Sequence, residues 1–448
     1  MIACCSPNNG FPGAWQGGAD GMARLLIDGY NLGLSKGTGV ATYGRNLCRE
    51  ASELGHEVWT LYGKPFGDSG NSLLREIAFF DDVEKRRHAV PHALQTIRQA
   101  VSGPLGHVPQ EIRLSGSVIS RPFDARLPRC SRIYNGASLY SASAASFALW
   151  GQLAKVRMPE RPDLAHWTYP LPVRSPGCAN IYTLHDLVPL RLPYTTLDNK
   201  KRYLKLVRKI AKTADHIVTV SECSKRDIVE ILGIAEDRVT NTYQSVSIPD
   251  ALTQRDEADV IREVEGATGA GYKDYFLFWG SIEPKKNIER MIEAYLASGI
   301  ERPLVIVGAQ AWKSEDQLRL LKNESLRSEK RIIQLSYAPL SQLVSLIRGA
   351  RAALFPSLYE GFGLPVLEAM LLGTPVICSN TASLPEVAGD AALSVDPHDS
   401  QALASAIRQM DSDADLRDAL SRQGFAQARL FSPASYRERL NELYRQLL

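Results

Sequence analysis

Short apolar runs alternate with segments of helical apolar spacing along most of the chain. After Met22 the run ARLLID is typical of a buried strand, and the glycine-rich loop LGLSKGTGV follows it. The segment ATYGRNLCREASELG has helical spacing and ends at Gly55, and HEVWTLYG then predicts a second strand. A strand, a glycine loop, a helix and a strand in this order are the opening of a doubly wound α/β domain.

The same alternation returns twice further along the chain. DLAHWTYP, ANIYTL and DHIVTV predict strands, with a helix over about 197–213, and a second series runs from YFLFWG through TPVICS to a helix over 400–410. The polar, glycine-bearing tract 250–272 predicts the connection between the two series. We therefore expect α/β domains over 22–255 and 270–432, a disordered tail over 1–21, and an amphipathic final helix over 433–448.

Composition narrows the class of protein. A chain of 448 residues is long for one core, and a formal net charge of +3 argues against a nucleic-acid protein driven by bulk charge. Seven scattered cysteines contain no CxxC pair, so neither a zinc site nor a disulfide framework is indicated. The first residues do not read as a secretory signal, and we expect a cytoplasmic protein.

The most basic tract of the chain runs from Lys85 to Arg132. It carries nine Lys or Arg against two acids, Glu111 and Asp124. Such a tract is either a solvated face or a surface for an anionic lipid or lipid-diphosphate acceptor, which would make the protein peripheral at the inner face of the membrane.

Two glutamates flank a glycine-rich loop in LFPSLYEGFGLPVLEAM. Glu360 follows the strand AALF, and Glu368 lies near the start of the next helix, so both can face the crevice at the carboxyl end of the sheet. A carboxylate accepts two hydroxyl hydrogen bonds, which suits the vicinal diol of a ribose or hexose. Gly361 and Gly363 allow backbone N–H groups to approach a ligand, although a surface helix residue and ordinary turns would give the same pattern.

Three other segments end buried strands with polar or glycine residues. Lys285 and Lys286 precede a helix that begins near Asn287, an arrangement that favours a diphosphate, although two solvated lysines would look the same. KGTGVATYG lacks the dinucleotide fingerprint, and its Gly37 and Gly39 either let the backbone approach a ligand or form an ordinary tight turn. In YTLHDL, His185 ends a strand at the crevice, where it could donate to sugar hydroxyls or to developing charge.

Taken in order, these segments resemble the family-4 retaining glycosyltransferases of the two-domain GT-B fold, in which two Rossmann-like domains face a central cleft. The resemblance rests on GSIEPKKNIERMIEAY, RGARAALFPSLYEGFGLPVLEAMLLGTPVICSN and SLPEVAGDAAL and covers roughly 24–448. One position departs from it: Ser281 stands where many relatives have arginine, and Lys285 would supply the missing charge.

The resemblance implies a role for each residue of the site. Catalysis would involve His185, Glu360 and Lys286, with Glu360 holding the donor sugar and Lys286 neutralising the leaving diphosphate. Glu368 would bind the ribose hydroxyls. The remaining donor-binding residues would be Gly39, Lys285, Gly361, Phe362, Gly363 and Leu364.

The implied reaction is hexosyl transfer from a sugar nucleotide to a glycan or lipid-linked acceptor, with no metal and no cofactor. The motifs are most similar to bacterial mannosyl- and rhamnosyltransferases of O-antigen or exopolysaccharide synthesis, so GDP-mannose is the expected donor. A rhamnosyl-, fucosyl- or glucosyltransferase of the same family is an alternative. A catalytically silent sugar-nucleotide-binding subunit is another, and loss of Glu360, Glu368 or Lys286 would have favoured it.

Overall fold

The computed structural model describes residues 21–33, 39–66, 69–81, 106–120, 127–309 and 331–448. These residues form two large sheets, one from each half of the chain, and a two-stranded pair, Ala154–Lys155 with Val173–Arg174. Nearly all of the predicted tail, 1–21, lies outside the described residues, as does most of the basic tract.

The first sheet has eight strands and is parallel except at one edge. Its neighbouring strands all run parallel apart from Gln110–Ile112, which is antiparallel to Arg132–Asn135. Crossover connections of this kind place helices on both faces of the sheet. In spatial order the strands are Val239–Asn241, His216–Thr219, Ala179–Thr183, Leu164–Trp167, Arg24–Asp28, Glu57–Tyr62, Arg132–Asn135 and Gln110–Ile112.

The second sheet has six strands and is parallel throughout. Every residue is buried in the four strands FLFW, LVIV, AALF and VICS, as a sheet covered on both faces requires. The two doubly wound α/β domains predicted from the sequence are confirmed. In spatial order the strands are Ile332–Leu335, Leu304–Val307, Phe276–Trp279, Ala352–Phe355, Val376–Ser379 and Leu393–Val395.

The α-helices alternate with these strands along the chain. Those of the first half are Gly39–Glu53, Ser72–Phe80, Leu139–Trp150, Val188–Arg191, Lys200–Thr213, Glu222–Leu232 and Asp250–Thr253. Those of the second half are Glu257–Thr268, Ile288–Ser298, Leu340–Gly349, Leu364–Leu371, Leu384–Ala388, Ser400–Ser412, Ala414–Arg429 and Pro433–Leu447.

The segment predicted to connect the domains, 250–272, is largely helical. In the helix Glu257–Thr268, Val260 and Val264 are fully buried and belong to the same apolar cluster as Tyr275. Their i, i+4 spacing puts both on one face of the helix. Ordered packing against the second sheet therefore begins well before its first strand.

The last helix, Pro433–Leu447, returns to the first domain. Its Arg437 Nη2 lies 2.8 Å from Oε2 of the buried Glu50. Its Tyr444 hydroxyl lies 2.9 Å from Nδ1 of His166, on a central strand of the first sheet. The end of the chain thus contributes buried polar contacts to the domain that its beginning forms.

Candidate active site

Loops from both domains meet beyond the carboxyl ends of their strands. They pack tightly at Gly361, where a Cβ would lie 2.9 Å from Oδ2 of Asp186 and 2.9 Å from the carbonyl oxygen of His185. Ser224 Oγ bridges the same two loops, 2.9 Å from the His185 carbonyl and 3.3 Å from that of Gly361. Because a side chain at position 361 would force the loops apart, this contact requires glycine.

An ion pair joins the two loops of the second domain. Nζ of Lys286 donates to Oε1 of Glu360 over 2.6 Å, and both side chains are largely buried. Burial alone disfavours the carboxylate, but the charges of Lys286 and Lys285 outweigh it and hold the pKa of Glu360 below its usual value. Glu360 is therefore an anion at neutral pH, with a lysine ammonium directly on one of its oxygens.

Lys285 adds a second cation at the same place. Burial disfavours its ammonium, yet the carboxylates of Glu360, Asp186 and Glu283 raise the pKa of Lys285 above its usual value. Its Nζ lies 3.7 Å from Oε1 of Glu283, which also accepts from Ser281 Oγ over 3.1 Å. The residue that departs from the family pattern, Ser281, thus orients a carboxylate beside Lys285.

Glu368 lies in the helix Leu364–Leu371, behind the glycine loop. Its Oε2 accepts from Nε1 of Trp279 over 2.9 Å, at the end of the central strand Phe276–Trp279. Burial raises the pKa of Glu368, and the indole N–H opposes that shift. The indole fixes one carboxylate oxygen, while Oε1 can accept hydrogen bonds from the hydroxyls of a ligand.

The glycine loop between the two glutamates can contact a ligand through its backbone rather than through side chains. The ring of Phe362 is buried, with its centroid 5.5 Å from that of Phe431 and 6.2 Å from that of Tyr243. Gly363 has φ of +121°, and a Cβ there would lie 2.8 Å from Leu384. Phe362 can therefore serve a ligand only through its backbone, and position 363 requires glycine.

Gly39 and Leu364 face each other across the two domains. Gly39 begins the helix Gly39–Glu53, and a Cβ there would lie 3.9 Å from Cδ1 of Leu364. The preceding loop residues, 34–38, lie outside the described residues. A side chain at position 39 would thus be in van der Waals contact with the helix Leu364–Leu371, which also carries Glu368.

His185 is held by a backbone carbonyl. Its Nε2 lies 2.9 Å from the carbonyl oxygen of Thr168, so Nε2 carries the proton. Burial lowers the pKa of His185, and the edge of the Tyr43 ring packs against the imidazole with centroids 4.8 Å apart. The neutral imidazole leaves Nδ1 as an acceptor, so His185 can receive a bond from a sugar hydroxyl, whereas its N–H is already committed to Thr168.

Two hydrogen-bonded contacts between the domains were not predicted from the sequence. The Tyr359 hydroxyl donates to Oδ2 of Asp227 over 2.5 Å. The Glu386 carboxylate accepts from the backbone N–H groups of Glu222 (2.9 Å) and Cys223 (3.1 Å), at the amino terminus of the helix Glu222–Leu232. Glu386 lies inside the quoted segment SLPEVAGDAAL, but nothing in the sequence indicates that it contacts position 222.

The described residues contain neither a candidate metal site nor a candidate membrane-spanning helix. Among these residues, no group of three or more His, Cys, Asp or Glu is arranged to hold a metal ion. No helix in the same part of the chain is both long and apolar enough to cross a membrane.

Two family models match the chain. Residues 263–427 match the model described as "Glycosyl transferases group 1", and residues 117–247 match "Glycosyltransferase Family 4". The first match contains Lys285, Lys286, Glu360 and Glu368, and the second contains His185.

Curated relatives with similar sequences are bacterial mannosyltransferases. The Escherichia coli O-antigen chain mannosyltransferase B is 35% identical over 257 residues, which cover 56% of this chain and 66% of that protein. The O-antigen chain mannosyltransferase RfbU of Salmonella typhimurium is 28% identical, over 54% of this chain and 62% of that protein. The chain thus matches at most about two thirds of the length of these relatives.

Solved structures share the architecture over almost the whole chain. Sucrose-phosphate synthase from Thermosynechococcus elongatus covers 95% of this chain and 99% of its own, with a TM-score of 0.61 and 19% identity. Anabaena HepE, solved in complex with UDP-glucose, has the same TM-score at 16% identity and covers 95% of this chain and 100% of its own. At such identities these matches establish the fold alone.

Proposed function

Because the chain belongs to the family-4 glycosyltransferases and has their GT-B fold, we propose that it transfers a mannosyl residue from GDP-mannose to a glycan or lipid-linked acceptor, with retention of anomeric configuration. The observation that carries the proposal is the buried Lys286–Glu360 pair at the junction of the two domains, with Lys285 beside it. A silent sugar-nucleotide-binding subunit has no need of such a pair.

The lysines suit the leaving group of this reaction. A lysine ammonium has three N–H donors, so the bond from Lys286 to Glu360 leaves two for diphosphate oxygens. When the bond between the sugar and the diphosphate breaks, negative charge develops on the diphosphate, and fixed cations in a site that excludes water stabilise it strongly. We assign this role to Lys286 and Lys285 together.

The carboxylates suit the two ends of the donor. The Trp279 indole fixes one oxygen of Glu368, and its other oxygen would accept from the ribose hydroxyls. Glu360 is held ionised beside the lysines, where it would accept from hydroxyls of the transferred sugar. The backbone of 361–363 and Nδ1 of His185 would complete the sugar site.

The choice of mannose rests on the relatives. The curated proteins from Escherichia coli and Salmonella typhimurium are named O-antigen chain mannosyltransferases, and this chain is 35% and 28% identical to them over more than half of its length. An acceptor of the same kind, a growing polysaccharide carried on a lipid, accords with those names.

A binding panel in EDTA tests the donor. The melting temperature is measured with GDP-mannose, GDP-fucose, dTDP-rhamnose, UDP-glucose and UDP-N-acetylglucosamine, since a ligand that binds only the folded chain raises it by mass action. We expect GDP-mannose to give the largest increase, and Lys286→Ala to remove most of it. Arg408→Ala, an exposed change on the helix Ser400–Ser412, is the control. If another sugar nucleotide raises the melting temperature more, that nucleotide replaces GDP-mannose as the assigned donor. If none raises it, the silent sugar-nucleotide-binding subunit is favoured.

A further inference from the structure

One helix of the first domain carries a dense cationic face. The helix Lys200–Thr213, KKRYLKLVRKIAKT, has seven Lys or Arg and no acid. Its Val207, Ile210 and Ala211 are buried against the domain. Positions 201, 205, 208 and 212 follow the i, i+4, i+7, i+11 spacing that aligns side chains on one side of a helix. Four of the seven cations, Lys201, Lys205, Arg208 and Lys212, therefore form one stripe on the side of the helix away from the buried face.

These cations face solvent without carboxylate partners. In the part of the chain that the structure describes, none of the side chains on the stripe forms an ion pair. All four members of the stripe, Lys201, Lys205, Arg208 and Lys212, are exposed. Unpaired like charges at i, i+4 spacing destabilise a helix, so folding stability does not account for the stripe.

In the basic tract 85–132, by contrast, the described cations are paired with acids. Each of its three described cations lies against a carboxylate: Arg113 against Glu111, Arg129 against Glu53, and Arg132 against Glu57 and Glu160. The other six lie outside the described residues. The described part of the tract 85–132 is therefore paired with acids, whereas the helix 200–213 carries seven Lys or Arg and no acid within 14 residues.

Apolar side chains border the stripe. A groove lined by Gly151, Leu204 and five cations of the helix runs between this helix and the end of the helix Leu139–Trp150. At that end Leu149 is 64% exposed and Trp150 is 54% exposed. Exposed aromatic and aliphatic residues beside a basic helix face are the composition of surfaces that lie in the headgroup region of a bilayer.

The opposite side of the same helix contacts the candidate active site. The hydroxyl of Tyr203 donates to the carbonyl oxygen of Asp186 over 3.2 Å. A helix is about 10 Å across with its side chains, so the stripe and the loop carrying His185 are separated by the thickness of one helix.

We propose that the stripe Lys201, Lys205, Arg208 and Lys212, with Leu149 and Trp150 at its edge, docks the protein on the headgroups of an anionic lipid bilayer. The ammonium and guanidinium groups would lie among the phosphates, and the Trp150 indole would enter the interface. This inference rests on the proposed function only for its purpose, which is to bring the active site to a lipid-linked acceptor. Binding to the bilayer itself needs no sugar nucleotide.

Sedimentation with vesicles tests the docking. The full chain is mixed at low salt with vesicles of phosphatidylcholine alone or with 30% phosphatidylglycerol. We expect binding to the anionic vesicles only, reversed by 0.5 M NaCl because screening shortens the reach of the charges. The variant Lys201→Ser/Lys205→Ser/Arg208→Ser/Lys212→Ser should bind at least tenfold more weakly.

The matched control removes the same charge elsewhere. Arg408→Ser/Arg422→Ser/Arg429→Ser/Arg445→Ser changes four exposed cations on the C-terminal helices, and we expect it to bind within twofold of the unmodified chain. If both variants lose vesicle binding equally, net charge alone explains the binding and the proposal is overturned. Binding to a soluble anionic polysaccharide but not to anionic vesicles would also overturn it.

Two further readouts separate the proposal from misfolding and from the proposed reaction. Brominated lipids should quench the tryptophan fluorescence of the bound chain, and Trp150→Phe should lose that quenching. The quadruple stripe variant should keep both its melting temperature and its stabilisation by GDP-mannose. A variant that fails to bind vesicles because it has unfolded would lose both, whereas a failed donor assignment would leave vesicle binding intact.

Discussion

Nζ of Lys286 and Oε1 of Glu360 lie 2.6 Å apart, although 74 residues separate them in the chain. Each belongs to a loop at the carboxyl end of a parallel strand, Phe276–Trp279 for Lys286 and Ala352–Phe355 for Glu360, and these strands are neighbours in the sheet. The fold thus brings the cation that we assign to the diphosphate and the carboxylate that we assign to the sugar into direct contact.

Replacing Lys286 by Ala should reduce the rate of transfer by about 10²–10³-fold, the usual loss when one stabiliser of transition-state charge is removed. Affinity for free GDP, measured by titration calorimetry in EDTA, should also fall, because the diphosphate loses a cation. Arg408→Ala serves as the comparison. Unchanged GDP affinity in Lys286→Ala would remove this residue from the phosphate site.

Replacing Glu360 by Gln should also abolish transfer but should leave GDP affinity close to normal. The neutral amide keeps the shape of the side chain and removes the anion assigned to the sugar rather than to the nucleotide. A transfer rate within threefold of the unmodified enzyme would contradict the assignment.

Glu368→Gln should raise the KM for the donor and leave kcat little changed. The ribose lies away from the reacting carbon, so its contacts stabilise the ground state and the transition state alike. Trp279→Phe removes the N–H that orients the same carboxylate, and its effect should not add to that of Glu368→Gln. If the loss of donor binding in the double variant equals the sum of the two single losses in free energy, the two residues act separately.

Tyr359→Phe removes the hydrogen bond to Asp227 that joins the two domains. Because closure of the cleft excludes water and assembles the site, we expect kcat and KM to change together by severalfold. In the presence of GDP, small-angle scattering should show a larger radius of gyration for Tyr359→Phe than for the unmodified chain. The same radius together with unchanged kinetics would mean that this contact does not hold the domains together.

Stability should fall on acidification through His166. Its ring bonds to Tyr444 and to Thr183, and burial lowers its pKa to about 3. Between pH 6.5 and about 3 the unfolded chain binds a proton that the folded chain does not, so the free energy of unfolding drops as the pH falls. The slope contributed by one such group approaches about 1.4 kcal/mol per pH unit.

Urea unfolding of the unmodified chain and of His166→Gln between pH 7.5 and 4.5 isolates this contribution. Asp28, whose pKa burial raises to about 6, shifts stability in the opposite sense but is common to both proteins. The difference in free energy of unfolding between the unmodified chain and His166→Gln should shrink as the pH falls. A constant difference would rule out His166 as the titrating group.

Local patterns were sufficient to predict the fold. Continuous apolar runs such as FLFW and AALF are typical of strands buried on both faces, and each was found where it was expected. Glu360 and Lys286 could be placed at the crevice because they lie in the loops that follow such strands.

Contacts between distant segments were not predictable in the same way. Nothing near Asp227 indicates a bond to Tyr359, and the acceptor role left to His185 depends on Thr168, a residue of another loop. The charge on the helix 200–213 is visible in the sequence, but whether its cations are paired is decided by tertiary structure. The tract 85–132 was considered as a lipid-binding surface because of its many Lys and Arg residues, but its described cations are paired with carboxylates.

The most direct test of the central claim is the configuration of the product. The chain is incubated with GDP-mannose and a synthetic α-mannoside carrying a hydrophobic aglycone, in EDTA, and the new linkage is assigned by the one-bond C–H coupling at the anomeric carbon. The account predicts an α-mannosyl product and one GDP released for each linkage formed, with both slowed by about 10²–10³-fold in Lys286→Ala. A β-linked product, or transfer that persists undiminished in Lys286→Ala, would contradict it.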